Sequence, residues 1–112
     1  MISKALVAAS TKPVILSILA SGEKYGYLII QHVTDISGGT LEWSEGMLYP
    51  VLHRMEKDGF ILSQWRISEN GRKRKYYLLT DLGRIELEKD RKEWAIVHSL
   101  LNRLWHPLSV PD

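Results

Sequence analysis

Apolar side chains recur at helical spacing in most of the chain and alternate in one stretch. Ile2, Leu6 and Ala9 predict a short helix over residues 2–10, with a narrow stripe that Pro13 should interrupt or restart. PVILSILA predicts a compact helix of its own, with Pro13 in its first turn, where a missing N–H costs little, and Gly22 as its stop. A short helical turn is expected before Tyr25. In YGYLIIQHVTDIS, the positions Leu28, Ile29, His32, Val33 and Ile36 mark a second, amphipathic helix that breaks at Gly38 and Gly39. Ser44 is placed as the N-cap of a third helix, with Glu45 in its first turn and Leu48, Val51, Leu52 and Met55 along one face as far as Gly59. That register turns Tyr49 and His53 to the opposite side, together with Glu45 and Gly46. Pro50 lacks the amide that would continue the helical ladder, which predicts a kink or a tightened turn.

The pattern then changes period. FILSQWRI puts Ile61, Ser63, Trp65 and Ile67 on one side and Gln64 and Arg66 on the other, as in a half-buried strand, and KYYLLT is a second β-prone run. Asn70-Gly71 between them predicts a hairpin closed by a type I′ turn, which needs positive φ at both central residues. TDLG, from Thr80, starts a further helix. Leu87, Trp94, Val97, Leu101 and Leu104 occupy its heptad a and d positions up to Trp105, with Asp90 as the exception. A long helix with one exposed apolar seam needs a partner, so these five residues are the expected dimer interface. Residues 106–112 hold two prolines and no pattern and are expected to form a disordered tail.

Three helices, a hairpin and a final helix follow the order of a winged helix-turn-helix, in which the third helix enters the DNA major groove and the hairpin lies along the backbone. The expected fold class is α+β, mostly helical. Residues 1–80 would form the winged-helix region with its N-terminal helix, and residues 81–105 a dimerisation helix of the same domain. At 112 residues, 45% of them apolar, the chain fits one domain whose modest core invites oligomerisation.

Charge sharpens this picture only locally. The formal net charge is +2, so a nucleic-acid argument rests on clustering, and the cluster is Arg72, Lys73, Arg74 and Lys75 beside the tight turn. Such a run is either a solvated surface or a set of phosphate contacts. Its place inside the expected wing favours phosphates, and strand alternation implies that not all four point the same way. Tyr25 and Tyr27 flank Gly26 at the start of the second helix, where amides and phenol hydroxyls can hold a phosphate, although either ring could instead pack in the core. Tyr49, Pro50 and His53 are the matching candidates on the third helix.

Other chemistries find little support. The chain has no cysteine, so thiolate chemistry and disulfides are excluded and a reducing cytoplasm suits it. ALVAAS is too short for a signal core, and no apolar run approaches membrane-spanning length; the expectation is a soluble, cytoplasmic protein without cofactor. His32, His53, His98 and His106 lack metal-ligand spacing, and no nucleophile, acid–base pair or phosphate-cradling loop is evident. The competing function is a protein-interaction module that uses the apolar seam and the basic hairpin. An enzyme acting on an aromatic acid is a further, unsupported alternative.

KYGYLI, WSEGMLYPVLHRMEKDGFI and GRKRKYYLLTDLG, in this order over most of residues 14–84, resemble the consecutive signatures of the PadR family of bacterial transcription regulators. The chain resembles the short subfamily, with a single carboxy-terminal dimerisation helix. The resemblance implies a homodimeric winged-helix repressor that binds double-stranded DNA at a pseudo-palindromic operator. It assigns Ser44, Glu45, Gly46, Tyr49 and Pro50 to the recognition helix, Tyr25 and Tyr27 to the preceding helix start, residues 72–75 to the wing, and Leu48, Leu52 and Met55 to the core. By the same resemblance to multidrug-sensing members, Trp94 would stack on a flat aromatic effector between subunits, with Leu6 and Ala9 as apolar walls. The alternative for Trp94 is simple packing in the dimer seam.

Overall fold

The computed structural model describes residues 2–107, so most of the expected tail lies outside the described residues. Helix α1 (Lys4–Ala20) begins at Ser3, whose hydroxyl accepts from the Leu6 amide at 3.2 Å. It runs unbroken through Pro13, against the expectation of two helices. Thr11, Ile15, Leu16, Ile18 and Leu19 are all buried on either side of the proline. Burial of four aliphatic side chains, at about 1.5–3 kcal/mol each, outweighs the ~3 kcal/mol that an internal proline costs. The segment before Tyr25 is also not helical. It is a two-residue strand, β1 (Lys24–Tyr25), too short for any period to reveal.

Helices α2 (Gly26–Ile36) and α3 (Glu45–Lys57) follow, and both close in the same way. After α2, the Gly39 amide donates to the Thr34 carbonyl and the Gly38 amide to Asp35. After α3, the Phe60 amide donates to Met55 and the Gly59 amide to Glu56. These are Schellman closures, which need a left-handed residue, supplied by Gly38 (φ 62°) and Gly59 (φ 85°). Ser44 caps α3 by accepting from the Met47 amide at 3.2 Å, and α3 continues through Pro50. Ile29 and Val33 of α2 and Leu48, Leu52 and Met55 of α3 join the buried part of α1, Trp43, Ile61, Tyr77 and Leu87 in one core.

Strands β2 (Ile61–Ile67) and β3 (Lys73–Leu79) pair antiparallel from Ile61 opposite Leu79 to Ile67 opposite Lys73. β1 adds to the other edge of β3, with Lys24 opposite Tyr77 and Tyr25 opposite Tyr76, giving the order β1-β3-β2. The hairpin differs from expectation in two respects. Among the described residues none other than glycine has positive φ, so Asn70 is not left-handed and the turn is not type I′. Gly71 (φ 80°) alone takes that conformation, its amide donating to Ser68 and the Ser68 amide to the Arg72 carbonyl, which makes a three-residue loop. Asn70 instead accepts from the Ser68 hydroxyl and the Arg72 amide through its side chain. In addition, Trp65 is 60% exposed and Ile67 77% exposed, although they share a face with buried Ile61. The alternation is real, but the outer half of the hairpin projects past the core that covers its base.

The base of the wing is fastened at one point. The Thr80 hydroxyl donates to the Gly59 carbonyl at 2.6 Å, its amide donates to the Phe60 carbonyl at 3.1 Å, and its oxygen accepts from the Gly83 amide at 3.0 Å. One threonine therefore caps the final helix, α4 (Asp81–Trp105), and ties its start to the end of α3. Gly83 is required here because a Cβ would lie 2.0 Å from the Phe60 carbonyl oxygen.

Helix α4 divides at Asp90. Leu87 is 8% exposed and belongs to the chain's own core, which corrects its expected place in a dimer seam. Asp90, the exception in the heptad, is 6% exposed and lies 3.3 Å from the Lys12 ammonium, which also pairs with Glu86. From residue 91 to residue 107 every position except the half-buried Leu101 is exposed, including Trp94, Val97 and Leu104. The chain is accordingly elongated, 66 × 30 × 23 Å. No helix among the described residues is long and apolar enough to cross a membrane.

Replacing Gly83 by alanine should force the α3–β2 and β3–α4 junctions apart. A loss of about 1–3 kcal/mol is expected in chemical denaturation. Thr80→Val, which removes the cap and the bond to Gly59, should cost about 1–2 kcal/mol.

Candidate nucleic-acid interface

The core positions of α3 define what its other faces present. With Leu48, Leu52 and Met55 inward, the 100° step per residue points Gly46, Pro50, His53 and Lys57 most directly away from the core, and all four are exposed. Glu45 and Tyr49 lie on the flank toward the wing; Met47, Val51 and Arg54 lie on the flank toward α1. No Cβ at Gly46 would meet a neighbour closer than 4.0 Å, so this first turn offers bare backbone on an open surface.

A cleft of about 380 Å³ separates α3 from the wing and the start of α2. Eight of the twelve residues expected to touch DNA line it: Tyr25, Tyr27, Glu45, Tyr49, His53, Lys73, Arg74 and Lys75. Ser44, Gly46, Pro50 and Arg72 do not. Ser44 is engaged as the cap, Gly46 and Pro50 face outward, and Arg72 stands exposed at the hairpin turn. Pro50 also borders a second groove, between α3 and α1.

Three of the four wing cations are arranged on aromatic rings. Strand alternation puts Lys73 and Lys75 on one face, where the Lys73 ammonium stands 5.5 Å from the Trp65 ring centre and that of Lys75 5.8 Å from Tyr77. On the other face the Arg74 guanidinium lies 4.5 Å from the Tyr25 ring centre, and Tyr25 meets Tyr76 edge to face at 5.3 Å. These contacts restrict long, flexible side chains without neutralising them. Among the described residues none of the four cations has an acidic partner, whereas Arg66 is tied to Glu23 and Gln64.

Gly26 fixes how closely α2 and α3 approach. A Cβ there would fall 2.4 Å from the Tyr49 hydroxyl oxygen, so the tyrosine ring lies directly on the start of α2. Burial first, then the nearby Glu45 carboxylate, pushes the Tyr49 hydroxyl above its usual pKa against the opposing pull of Arg74. The hydroxyl therefore keeps its proton and remains a hydrogen-bond donor.

Sequence reading missed three residues of this surface. Trp65 shares a side of β2 with Ile61 yet lines the cleft and is 60% exposed, which its alternation alone does not reveal. Arg54 and Lys57 lie on or beside the outward face of α3, a placement that the helical register of Leu48, Leu52 and Met55 already contained. Leu6 and Ala9, the expected effector walls, are exposed, and Trp94 is 39% exposed. No cluster of histidine and carboxylate side chains able to hold a metal occurs among the described residues.

An outward-facing third helix beside a cationic hairpin defines a winged helix-turn-helix DNA-binding protein. The sequence profile of the transcriptional regulator PadR-like family matches residues 15–89, and the chain belongs to that family. It is thus a DNA-binding transcriptional regulator rather than an enzyme. Over 102 residues it is 30% identical to a protein of Lysinibacillus sphaericus, covering 91% of this chain and 94% of that one. It is 32% identical over 87 residues to the negative transcriptional regulator PadR of Bacillus subtilis, covering 78% of this chain and 46% of that longer protein. Among solved structures, a PadR-like transcriptional regulator from Bacillus cereus superposes with a TM-score of 0.82 at 32% identity, covering 92% of this chain and 98% of the other. A transcriptional regulator from Clostridium thermocellum gives the same score at 28% identity, with 92% and 97% covered.

The interface rests on a tyrosine that makes the fold sensitive to alkali. Burial, helped by Tyr49 and Glu56, pushes the Tyr77 hydroxyl up to about 12, from near 10 in an unfolded chain. Between those values the native state holds a proton that the unfolded state has released, so stability falls as pH rises from about 10 to about 12. Below that window this contribution is fully present. Urea titrations should show the decline, and Tyr77→Phe should flatten it.

Proposed function

We propose that the protein is a cytoplasmic, homodimeric repressor that binds a pseudo-palindromic operator and responds to a small planar aromatic effector. The observation that carries the DNA part is the set of four wing cations without acidic partners among the described residues, three of them held on aromatic rings, beside the outward face of α3. In this reading Arg72, Lys73, Arg74 and Lys75 bind phosphates and release counterions, while Gly46, Pro50, His53 and Tyr49 approach base edges. Tyr25 and Tyr27 hold a backbone phosphate near the α2 amides.

The open part of α4 supports the dimer. Trp94, Val97, Leu101 and Leu104 form an apolar seam that a second copy would cover, and two copies related by a twofold axis would set their recognition helices about 34 Å apart, one turn of the duplex. An effector seated between subunits against Trp94, Leu6 and Ala9 would shift operator affinity only by its differential affinity for two subunit arrangements. The Bacillus subtilis relative, named a negative regulator, supports repression as the direction of control.

Selection of genomic fragments with purified protein at near-physiological salt tests DNA binding and half-site spacing together. Sedimentation at micromolar concentration tests the dimer, and a monomer that ignores duplex DNA would end the proposal. The double variant Arg72→Ala, Arg74→Ala should weaken binding to all sequences and flatten the slope of log affinity against log salt by about 1.8, two phosphates at roughly 0.9 each. Tyr49→Ala should also blur sequence preference, which a comparison of operator and scrambled duplexes would register.

Gly46→Ala should separate stability from binding. The helix gains about 0.5–1 kcal/mol from the better helix former, because its new methyl meets no neighbour. Operator affinity should nevertheless fall, since the methyl stands where backbone would approach the groove. Denaturation and binding isotherms on the same preparation read both.

A further inference from the structure

A groove of about 680 Å³ lies between the amino-terminal half of α1 and the α1-facing flank of α3, on the other side of α3 from the wing cleft. Val7 and Ala8 form one wall and Met47 and Val51 the other. The Thr11 hydroxyl beneath them already donates to the Val7 carbonyl at 2.6 Å, so it makes no demand on an occupant. The size falls within the roughly 300–1,000 Å³ usual for small-molecule sites.

The charged residues of this groove have one sign. Lys4, Lys12 and Arg54 contribute to its lining, and among the described residues no carboxylate does. Lys12 is balanced by Glu86 and Asp90, but neither Lys4 nor Arg54 is in an ion pair among the described residues. Apolar walls with two uncompensated cations complement one chemistry. We propose that the groove binds an amphiphilic organic anion, its apolar body between Val7, Ala8, Met47 and Val51 and its carboxylate at Lys4 and Arg54.

This site differs from the one expected near Trp94, because Leu6 and Ala9 do not line it. Its position also gives it a consequence for DNA, a part that rests on the proposed function. Arg54 and Pro50 belong to α3, and a carboxylate at Arg54 removes one positive charge from beside the face that meets the groove of the duplex. Occupancy therefore weakens operator binding.

Decanoate, used on the intact protein well below its micelle-forming concentration, is the probe for calorimetric titration. Decanol and decyltrimethylammonium have similar chains without the negative charge. Decanoate should bind at least tenfold more tightly than either, and Lys4→Gln with Arg54→Gln should cancel that preference while leaving decanol binding unchanged. Ala8→Trp, which fills the groove from an exposed helix position, should abolish decanoate binding and keep duplex affinity. On the unmodified protein, decanoate should lower duplex affinity about fivefold or more. Equal binding of the three probes, or unchanged decanoate binding in the double glutamine variant, would overturn the proposal. So would conversion of a dimer to a monomer by Ala8→Trp, which would assign the groove to a second copy. Failure of the proposed function is distinct, since it appears as absence of duplex binding without any probe.

Discussion

Three hydrogen bonds at Thr80 hold the architecture together. The Thr80 hydroxyl and amide donate to the Gly59 and Phe60 carbonyls between α3 and β2, and the same hydroxyl accepts from the Gly83 amide in the first turn of α4, at a place where no side chain larger than hydrogen fits at residue 83. On the outer side of this joint, the outward face of α3 and the outer half of the wing present charge and open backbone. Everything on the inner side feeds the core through Leu52, Ile61, Tyr77 and Leu87. Caps and close contacts of this kind have narrow geometric tolerance, so the junction between α3 and α4 leaves little freedom at this point.

The interface combines mobility and restraint. Lysine and arginine lose rotamer entropy when they are ordered, on the order of 1.5–2 kcal/mol each. The rings of Tyr25, Trp65 and Tyr77 restrict Arg74, Lys73 and Lys75 in the unbound chain, so part of that loss precedes any encounter with a phosphate. Aromatic rings do this without cancelling charge, as a carboxylate would. Arg66, held by Glu23, shows the contrast within the same sheet.

Much of this was legible in the residues, and the failures have local causes. The boundaries of α3 followed from Ser44 and Gly59, both of which act through specific hydrogen bonds between near neighbours. β2 followed from its alternation and β3 from its β-prone composition. Pro13 misled because a propensity rule was applied to a helix whose burial overrides it. β1 was invisible because its only partner, β3, lies some fifty residues later in the chain. The Asn70-Gly71 signal located the turn but not its type, since the Asn70 side chain closes the loop in place of its backbone. Trp65 was misplaced because alternation reports which side of a strand a residue occupies, not whether anything covers that side. The eight cleft residues were predicted from motif order, whereas Arg54 and Lys57 required the register of α3 to be followed all the way round.

Asp90 has a mechanical consequence. Lys12 grips α4 at the end of its buried portion, and the fifteen residues from 91 to 105 continue as a rod of about 22 Å that the described residues of its own chain do not bury. Such a lever magnifies what happens at its root: a tilt of about 5° at the clamp carries the tip by about 2 Å, as follows from that length. The ion pair is therefore a fulcrum, and small changes in how α1 seats against α4 become ångström-scale displacements at the far end of the molecule.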